Sequence, residues 1–99
     1  MVELCVLLWA NEGRADELVA YEDAVLALLP DHGGRVLSRV RTVAADGPVA
    51  SAEPLEIHLI GFPSEDAVAS YLADERRLAL AEEREAAIER TQLLRVTTV

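Results

Sequence analysis

Two kinds of hydrophobic pattern alternate along this chain, and their order limits the fold more than any single motif does. Val2 to Ala10 is a Val- and Leu-rich run interrupted only by Glu3, which reads as a strand covered on both faces. Asn11-Glu12-Gly13 breaks it. From about Arg14 to Leu29 the apolar residues Leu18, Tyr21, Val25 and Leu28 recur at three-and-four spacing, the stripe of an amphipathic helix, widened by Val19, Leu26 and Leu29. Pro30 stops that helix and Asp31-His32-Gly33-Gly34 makes a turn. Arg35 to Val43 alternates as a second strand, Ala44 to Pro54 reads as a loop from Asp46-Gly47-Pro48, and Leu55 to Phe62 is a third strand. Ser64 is a good N-cap, with Glu65 and Asp66 suited to the first turn of a helix running to about Ala73. Asp74 reads as the cap of a further, charged helix from Glu75 to about Ile88. Gln92 to Val99 supplies a fourth strand.

Strand, helix, strand, strand, helix, strand is the order of a ferredoxin-like βαββαβ sandwich of the α+β class, with an antiparallel four-stranded sheet. The 99 residues carry no repeat or linker, so residues 1–99 are expected to form a single domain. In this topology the helices cover one sheet face. The other must be polar or find a partner.

Strand alternation assigns residues to these faces. Val2, Leu4, Val6 and Leu8 suit the helix side of the first strand, leaving Glu3, Cys5, Leu7 and Trp9 on the open side. In the third strand Leu55, Ile57, Leu59 and Gly61 are assigned to the helices, and Glu56, His58, Ile60 and Phe62 to the open face. The second strand is read with Leu37, Arg39, Arg41 and Val43 on the open face. A hairpin closing near Gly47-Pro48 then sets Arg41 beside Glu56 and Arg39 beside His58. The fourth strand adds Leu93 and Arg95. An open face of this kind is too apolar for water and too charged for a sealed core, so it predicts a homodimer formed sheet to sheet around a shared cavity.

Charge and composition remove several function classes. All nine cations are arginine, and the absence of lysine excludes Schiff-base aldolases, pyridoxal-phosphate enzymes, P-loop nucleotidases and kinases. Eighteen acids give a net charge of −9, which argues against nucleic acid and against an anionic membrane surface as partners. A single cysteine, Cys5, forbids an intrachain disulfide and a multi-cysteine metal site, and it reads as a small buried hydrophobe. His32 and His58 lack the spacing and carboxylate company of a metal site, so neither metal nor cofactor is expected. No signal-like or membrane-spanning run occurs, and the expected compartment is the cytoplasm.

Tyr21, the His32-Gly33-Gly34-Arg35-Val36-Leu37 turn and strand, Ile60-Gly61-Phe62-Pro63-Ser64, and the helix from Arg77-Leu78 to Arg84-Glu85-Ala86-Ala87 together resemble an uncharacterised bacterial family of the dimeric α+β barrel superfamily. The resemblance covers Val2 to Val96. It implies ferredoxin-like subunits paired through their sheets, and it lends weight to the Gly-Gly turn, Arg39 and Arg84 as recurring features. The wider superfamily includes cofactor-independent antibiotic-biosynthesis monooxygenases, muconolactone isomerases and haem-binding barrels, and fold alone does not choose among them.

Trp9, Arg39, Glu56, His58 and Arg95 are therefore the candidate ligand-binding residues, for a small anionic or amphipathic molecule in the inter-sheet cavity. Arg39, Arg41 and Arg95 can clamp a carboxylate, or pair with Glu56 and with acids of the partner chain. Trp9 can stack on a flat ligand or simply pack. His58 is the candidate catalytic residue, the general base of a cofactor-independent monooxygenase or isomerase, with a core histidine satisfied by Glu56 or Arg39 as the bland counterpart. His32 reads as a turn-orienting residue, and the glutamates between Glu75 and Glu89 as a solvated helix face.

Overall fold

The computed structural model describes residues 1–43 and 53–99, and the expected loop from Ala44 falls outside them over residues 44–52. Four strands, β1 (Val2–Ala10), β2 (Arg35–Arg41), β3 (Glu56–Phe62) and β4 (Ile88–Val96), form one sheet in the order β2-β3-β1-β4. Every neighbouring pair is antiparallel. This is the ferredoxin-like arrangement, with the two most apolar strands, β1 and β3, in the middle. Helices α1 (Ala15–Leu26), α2 (Glu65–Leu72), α3 (Glu75–Leu78) and α4 (Ala81–Ala87) lie on one face. The shortest Cα extent of the molecule is 17 Å, the thickness of a sheet with a single helical layer.

The core lies between the layers in two clusters. Leu4, Ile60 and Phe62 of the sheet meet Leu26, Leu29, Val68 and Tyr71 of the helical layer. Leu8 and Ile88 meet Leu18, Tyr21, Val25 and Ala87. Each fully buried Leu or Phe contributes roughly 1.5–3 kcal/mol of transfer free energy, so these clusters dominate the hydrophobic stabilisation.

Local signals explain most element ends. The Ser64 hydroxyl accepts a hydrogen bond from the Ala67 amide at 3.1 Å, capping α2. Asp74 caps α3 by accepting from the Arg76 amide at 2.8 Å. Pro30 does not simply end a helix, because it opens a 3-10 turn over Leu29–His32, where its missing N–H is no loss. Gly33 closes that turn at φ +72°, a left-handed conformation that glycine adopts without strain. Gly34 follows beneath Phe62, where a Cβ would lie 3.0 Å from the ring.

Helix α1 stops at Leu26 rather than Leu29 and β4 at Val96 rather than Val99, and the larger departures lie in the charged helix and at the last strand's start. The charged helix is divided at Ala79–Leu80 into α3 and α4, and β4 begins directly at Ile88 rather than near Gln92. Asn11 supplies the reason for the early start of β4. Its side-chain amide donates to the Glu85 and Ala86 carbonyls at 3.0 and 2.9 Å, and its backbone N–H donates to the Ala87 carbonyl at 2.9 Å. Those contacts satisfy the last carbonyls of α4, so the chain can turn straight into a strand.

Face assignment holds for β1, reverses for β3 and β4, and in β2 reverses for Arg39 and Arg41 while Leu37, beside Gly61, stays on the open face. In β3, Ile60 and Phe62 pack in the helix-side core, and Glu56 and His58 share their face. The expected register is present, with Arg39 opposite His58 and Arg41 opposite Glu56, so both arginines also point toward the helices. A register shift between Val36 and Ser38 separates them from the upper part of β2. In β4, Leu93 and Arg95 stand opposite Val6 and Leu4, again on the helix side. The open face instead carries Cys5, Leu7, Ile57, Leu59, Val40 and Leu94 across its centre, with Glu3 and Val96 at one end and Trp9 and Arg90 at the other. It is more apolar than the sequence suggested. Among the described residues, no helix is long and apolar enough to cross a membrane.

Candidate functional site

The polar residues removed from the open face assemble beneath α1. Glu56 is completely buried, and both of its carboxylate oxygens are engaged. Arg39 holds it in a bidentate grip, Nε to Oε1 at 2.8 Å and Nη2 to Oε2 at 3.1 Å. Arg41 Nε donates to Oε2 at 2.5 Å. The third Arg39 nitrogen, Nη1, reaches Asp23 of α1 at 2.7 Å, tying the edge strand to the helix. Burial pushes the Glu56 carboxyl up, but hydrogen bonds from Arg39, Arg41 and His58 more than reverse this and hold it at about 2. A buried charge is tolerable here because its partners accompany it.

His58, also fully buried, completes the cluster, with Nε2 standing 2.7 Å from Glu56 Oε1. Against an ionised carboxylate Nε2 must carry the proton, which leaves the lone pair on Nδ1. Burial lowers the imidazole's affinity for a second proton, and the attraction of Glu56 only partly offsets it, so His58 titrates below its ordinary value. Nδ1 faces Glu22 of α1 across 4.0 Å.

Glu22 escaped the sequence reading. It is 6% exposed and lies on the buried side of α1 with Leu18, Tyr21 and Val25. Its spacing was the available signal, because a residue four after Leu18 and three before Val25 must share their stripe. Burial raises its carboxyl to about 7, helped by the nearby charge of Glu56 and opposed by Arg77, Arg39 and Arg84. Its carboxyl is therefore far more readily protonated than an ordinary glutamate.

Glu22 and His58 line a cavity of about 70 Å³ between sheet and helices. Leu4, Val6, Ile60, Phe62 and Val68 make most of its wall, and Arg77 and Arg84 bring two guanidinium groups to it. Leu72 and Leu93 belong to the lining while remaining 40% exposed, so they mark its rim. Arg77 lies over the Tyr71 ring, 5.3 Å from its centroid, and its buried Nε has no hydrogen-bond partner among the described residues. Arg84 is held by the Thr91 hydroxyl at 3.1 Å.

The residues expected to share one site are thus divided. Arg39, Glu56 and His58 come together, on the helix side and not on the open face. Arg95 is elsewhere on that side, paired with Glu65 of α2 at 2.7 Å in an exposed contact. Trp9 alone lies on the open side, buried, with the Arg90 guanidinium 4.5 Å from its ring centroid. Cys5 is half-buried on the same face. Among the described residues no group of three or more His, Cys, Asp or Glu side chains is arranged to hold a metal ion.

No protein-family model matches the chain, and no curated protein is significantly similar to it. Solved structures do match. A protein of unknown function from Rhodopseudomonas palustris, RPA0582, superimposes with a TM-score of 0.72 at 19% identity, covering 99% of this chain and 82% of that one. PA3566 from Pseudomonas aeruginosa gives 0.73 at 16% identity, over 99% and 93% of the two chains. An antibiotic biosynthesis monooxygenase gives 0.68 at 13% identity, over 100% and 99%. The chain accordingly has the ferredoxin-like α+β fold found in antibiotic biosynthesis monooxygenases and in several uncharacterised bacterial proteins. At these identities the likeness concerns the fold alone.

Proposed function

We propose that the protein is a homodimeric α+β barrel, paired through its open sheet faces, that binds a small molecule in the cavity of each subunit between sheet and helices. The sequence reading put the ligand between the two sheets. The polar groups that would orient it face the helices instead, so the proposed site moves with them. One observation carries the reading: an apolar cavity with a buried imidazole and a buried, readily protonated carboxyl in its wall. The dimer is supported separately by the open face, where Val40 and Leu94 are 51% and 43% exposed beside half-buried Leu7, Ile57 and Leu59.

Two experiments test these parts. Light scattering at micromolar concentration should give twice the chain mass, and Leu94→Arg should give a folded monomer; a monomeric parent protein overturns the pairing. Xenon dissolved under pressure should shift the methyl resonances of Val6, Ile60, Val68 and Leu93, the signature of an accessible apolar cavity. Unmoved methyls overturn the cavity reading.

A catalytic version, a cofactor-independent monooxygenase or isomerase with His58 as general base, is favoured by one feature. Glu56 fixes the His58 tautomer, so that the basic Nδ1 is the nitrogen turned toward Glu22 and the cavity.

A further inference from the structure

We propose that Glu22 and His58 work as a proton-exchanging pair on a small carbonyl compound with an acidic adjacent C–H, such as a 1,3-dicarbonyl, while Arg77 Nε receives the carbonyl oxygen. The proposal rests on the cavity reading above and adds to it a substrate class, a second acid–base residue and an oxyanion donor.

The geometry brings together the parts that enolisation requires. A neutral imidazole presents a lone pair. A carboxyl 4.0 Å away can supply or take up a proton. A buried guanidinium N–H in the same lining has no partner among the described residues, and a buried donor left unpaired is costly unless a ligand satisfies it. The cavity volume sets the size of what enters. An enclosed apolar space of about 150 Å³ accommodates benzene, so about 70 Å³ encloses only a few non-hydrogen atoms. The reacting head of a ligand fits inside, and the remainder extends past Leu72 and Leu93.

The steps balance without oxidant or cofactor. The C–H bond breaks and its proton passes to His58 Nδ1, while the electron pair moves to the carbonyl oxygen, forming an enolate held by Arg77. Protonated Glu22 returns a proton to the enolate, either at the original carbon or at a second one. The proton on His58 then passes to the Glu22 carboxylate through one bridging water across the 4.0 Å between them, restoring both groups. The charged and titratable groups facing Glu22 are His58 and Glu56 of β3, Arg39 of β2, Tyr21 of its own helix, Tyr71 of α2, Arg77 of α3 and Arg84 of α4. Three arginines oppose one ionised Glu56, so an enolate formed there is not repelled.

Acetylacetone in D2O, followed by NMR, tests the proposal through two readouts. Methyl shifts of Ile60, Val68 and Leu93 report binding, and loss of the probe's methylene proton signal above the buffer rate reports proton exchange. The expected result is binding with accelerated exchange whose rate falls on the alkaline side of about pH 7 as Glu22 ionises. Glu22→Gln should retain the methyl shifts, slow exchange at least tenfold and remove that alkaline limb. Arg77→Met, which keeps an apolar stem over Tyr71, should weaken both readouts. Binding without acceleration, or acceleration unchanged in Glu22→Gln, overturns the proton-exchanging pair while leaving the cavity reading intact. Xenon shifts without acetylacetone shifts overturn the substrate class. If neither probe moves the methyls, both readings fail together.

Discussion

The molecule contains two histidine–carboxylate pairs with the same 2.7 Å separation and different surroundings. His32, at the end of the 3-10 turn, gives Nε2 to Asp74 and Nδ1 to the Ser70 hydroxyl, so both ring nitrogens are used. Asp74 is bound in turn by Arg76, which also reaches Asp31, and hydrogen bonds from Arg76 and His32 hold its carboxyl well below the usual range. This network fastens the turn to α2 and α3. His58 gives only one nitrogen to its carboxylate and presents the other to Glu22 and a cavity. The chemistry is shared, and the spare valence is not. A satisfied histidine holds structure together, whereas one with a nitrogen turned to a cavity can handle a proton.

The largest expected effect that tests this contrast is loss of Glu56. Glu56→Gln should destabilise the fold by about 3–5 kcal/mol, because it leaves the Arg39 and Arg41 guanidinium groups without their buried counter-ion. Asp74→Asn should lower the urea midpoint distinctly less, since its network is bordered by exposed Arg76 and Asp31. Equal losses would erase the distinction between the two pairs.

The next effect is a pH dependence of opposite sign at the two buried glutamates. Glu22 has a folded-state value of about 7, above its ordinary 4.5, so its stabilising contribution is complete below about pH 4.5 and is lost as pH rises through 7. Glu56, held at about 2, contributes above pH 4.5 and loses that contribution as pH falls toward 2. Each amounts to something on the order of 3 kcal/mol. Urea titrations at several pH values should show stability falling between about pH 4.5 and 7, and Glu22→Gln should flatten that decline.

The smallest effects are spectroscopic. Nitrogen-15 shifts should identify His58 as the Nε2–H tautomer, remaining neutral below the pH at which an ordinary histidine gains its proton. Replacing His32 by Asn should leave that signal and the cavity methyls unmoved. A change in either would mean that the two pairs are coupled through α2.

Element order was legible in the sequence because each strand and helix carries its own periodicity, and Ser64 and Asp74 announce the caps they form. Face assignment was less accessible. β3 has large apolar residues on both sides, Ile57 and Leu59 against Ile60 and Phe62, so its alternation does not choose between them. Placing Leu55, Ile57 and Leu59 against the helices put Glu56 and His58 on the open face, but β2 brings Arg39 and Arg41 in register to neutralise Glu56 under a helix. Gly61 held a usable hint. On a helix-covered face it would leave a gap, whereas on the open face the Leu37 and Met1 side chains come within 3.3–3.4 Å of where its Cβ would lie. The pairing of arginines with Glu56 was therefore readable by register even though their side of the sheet was not. Glu22 was readable from its place on the apolar stripe, but the cavity it faces depends on how three separate segments pack.

The strand order has a consequence for how the chain is made. β1, synthesised first, lies at the centre of the sheet, yet its neighbours are β3 and β4, more than 40 residues downstream. During translation β1 must wait, with apolar side chains on both faces, until Glu56–Phe62 emerges, and one of its edges stays unpaired until Ile88–Val96 follows. Such long-range closure slows folding and leaves an aggregation-prone strand open on the ribosome. Weakening the β1–β4 ladder should therefore reduce the yield of newly made protein more than it reduces the stability of protein already folded.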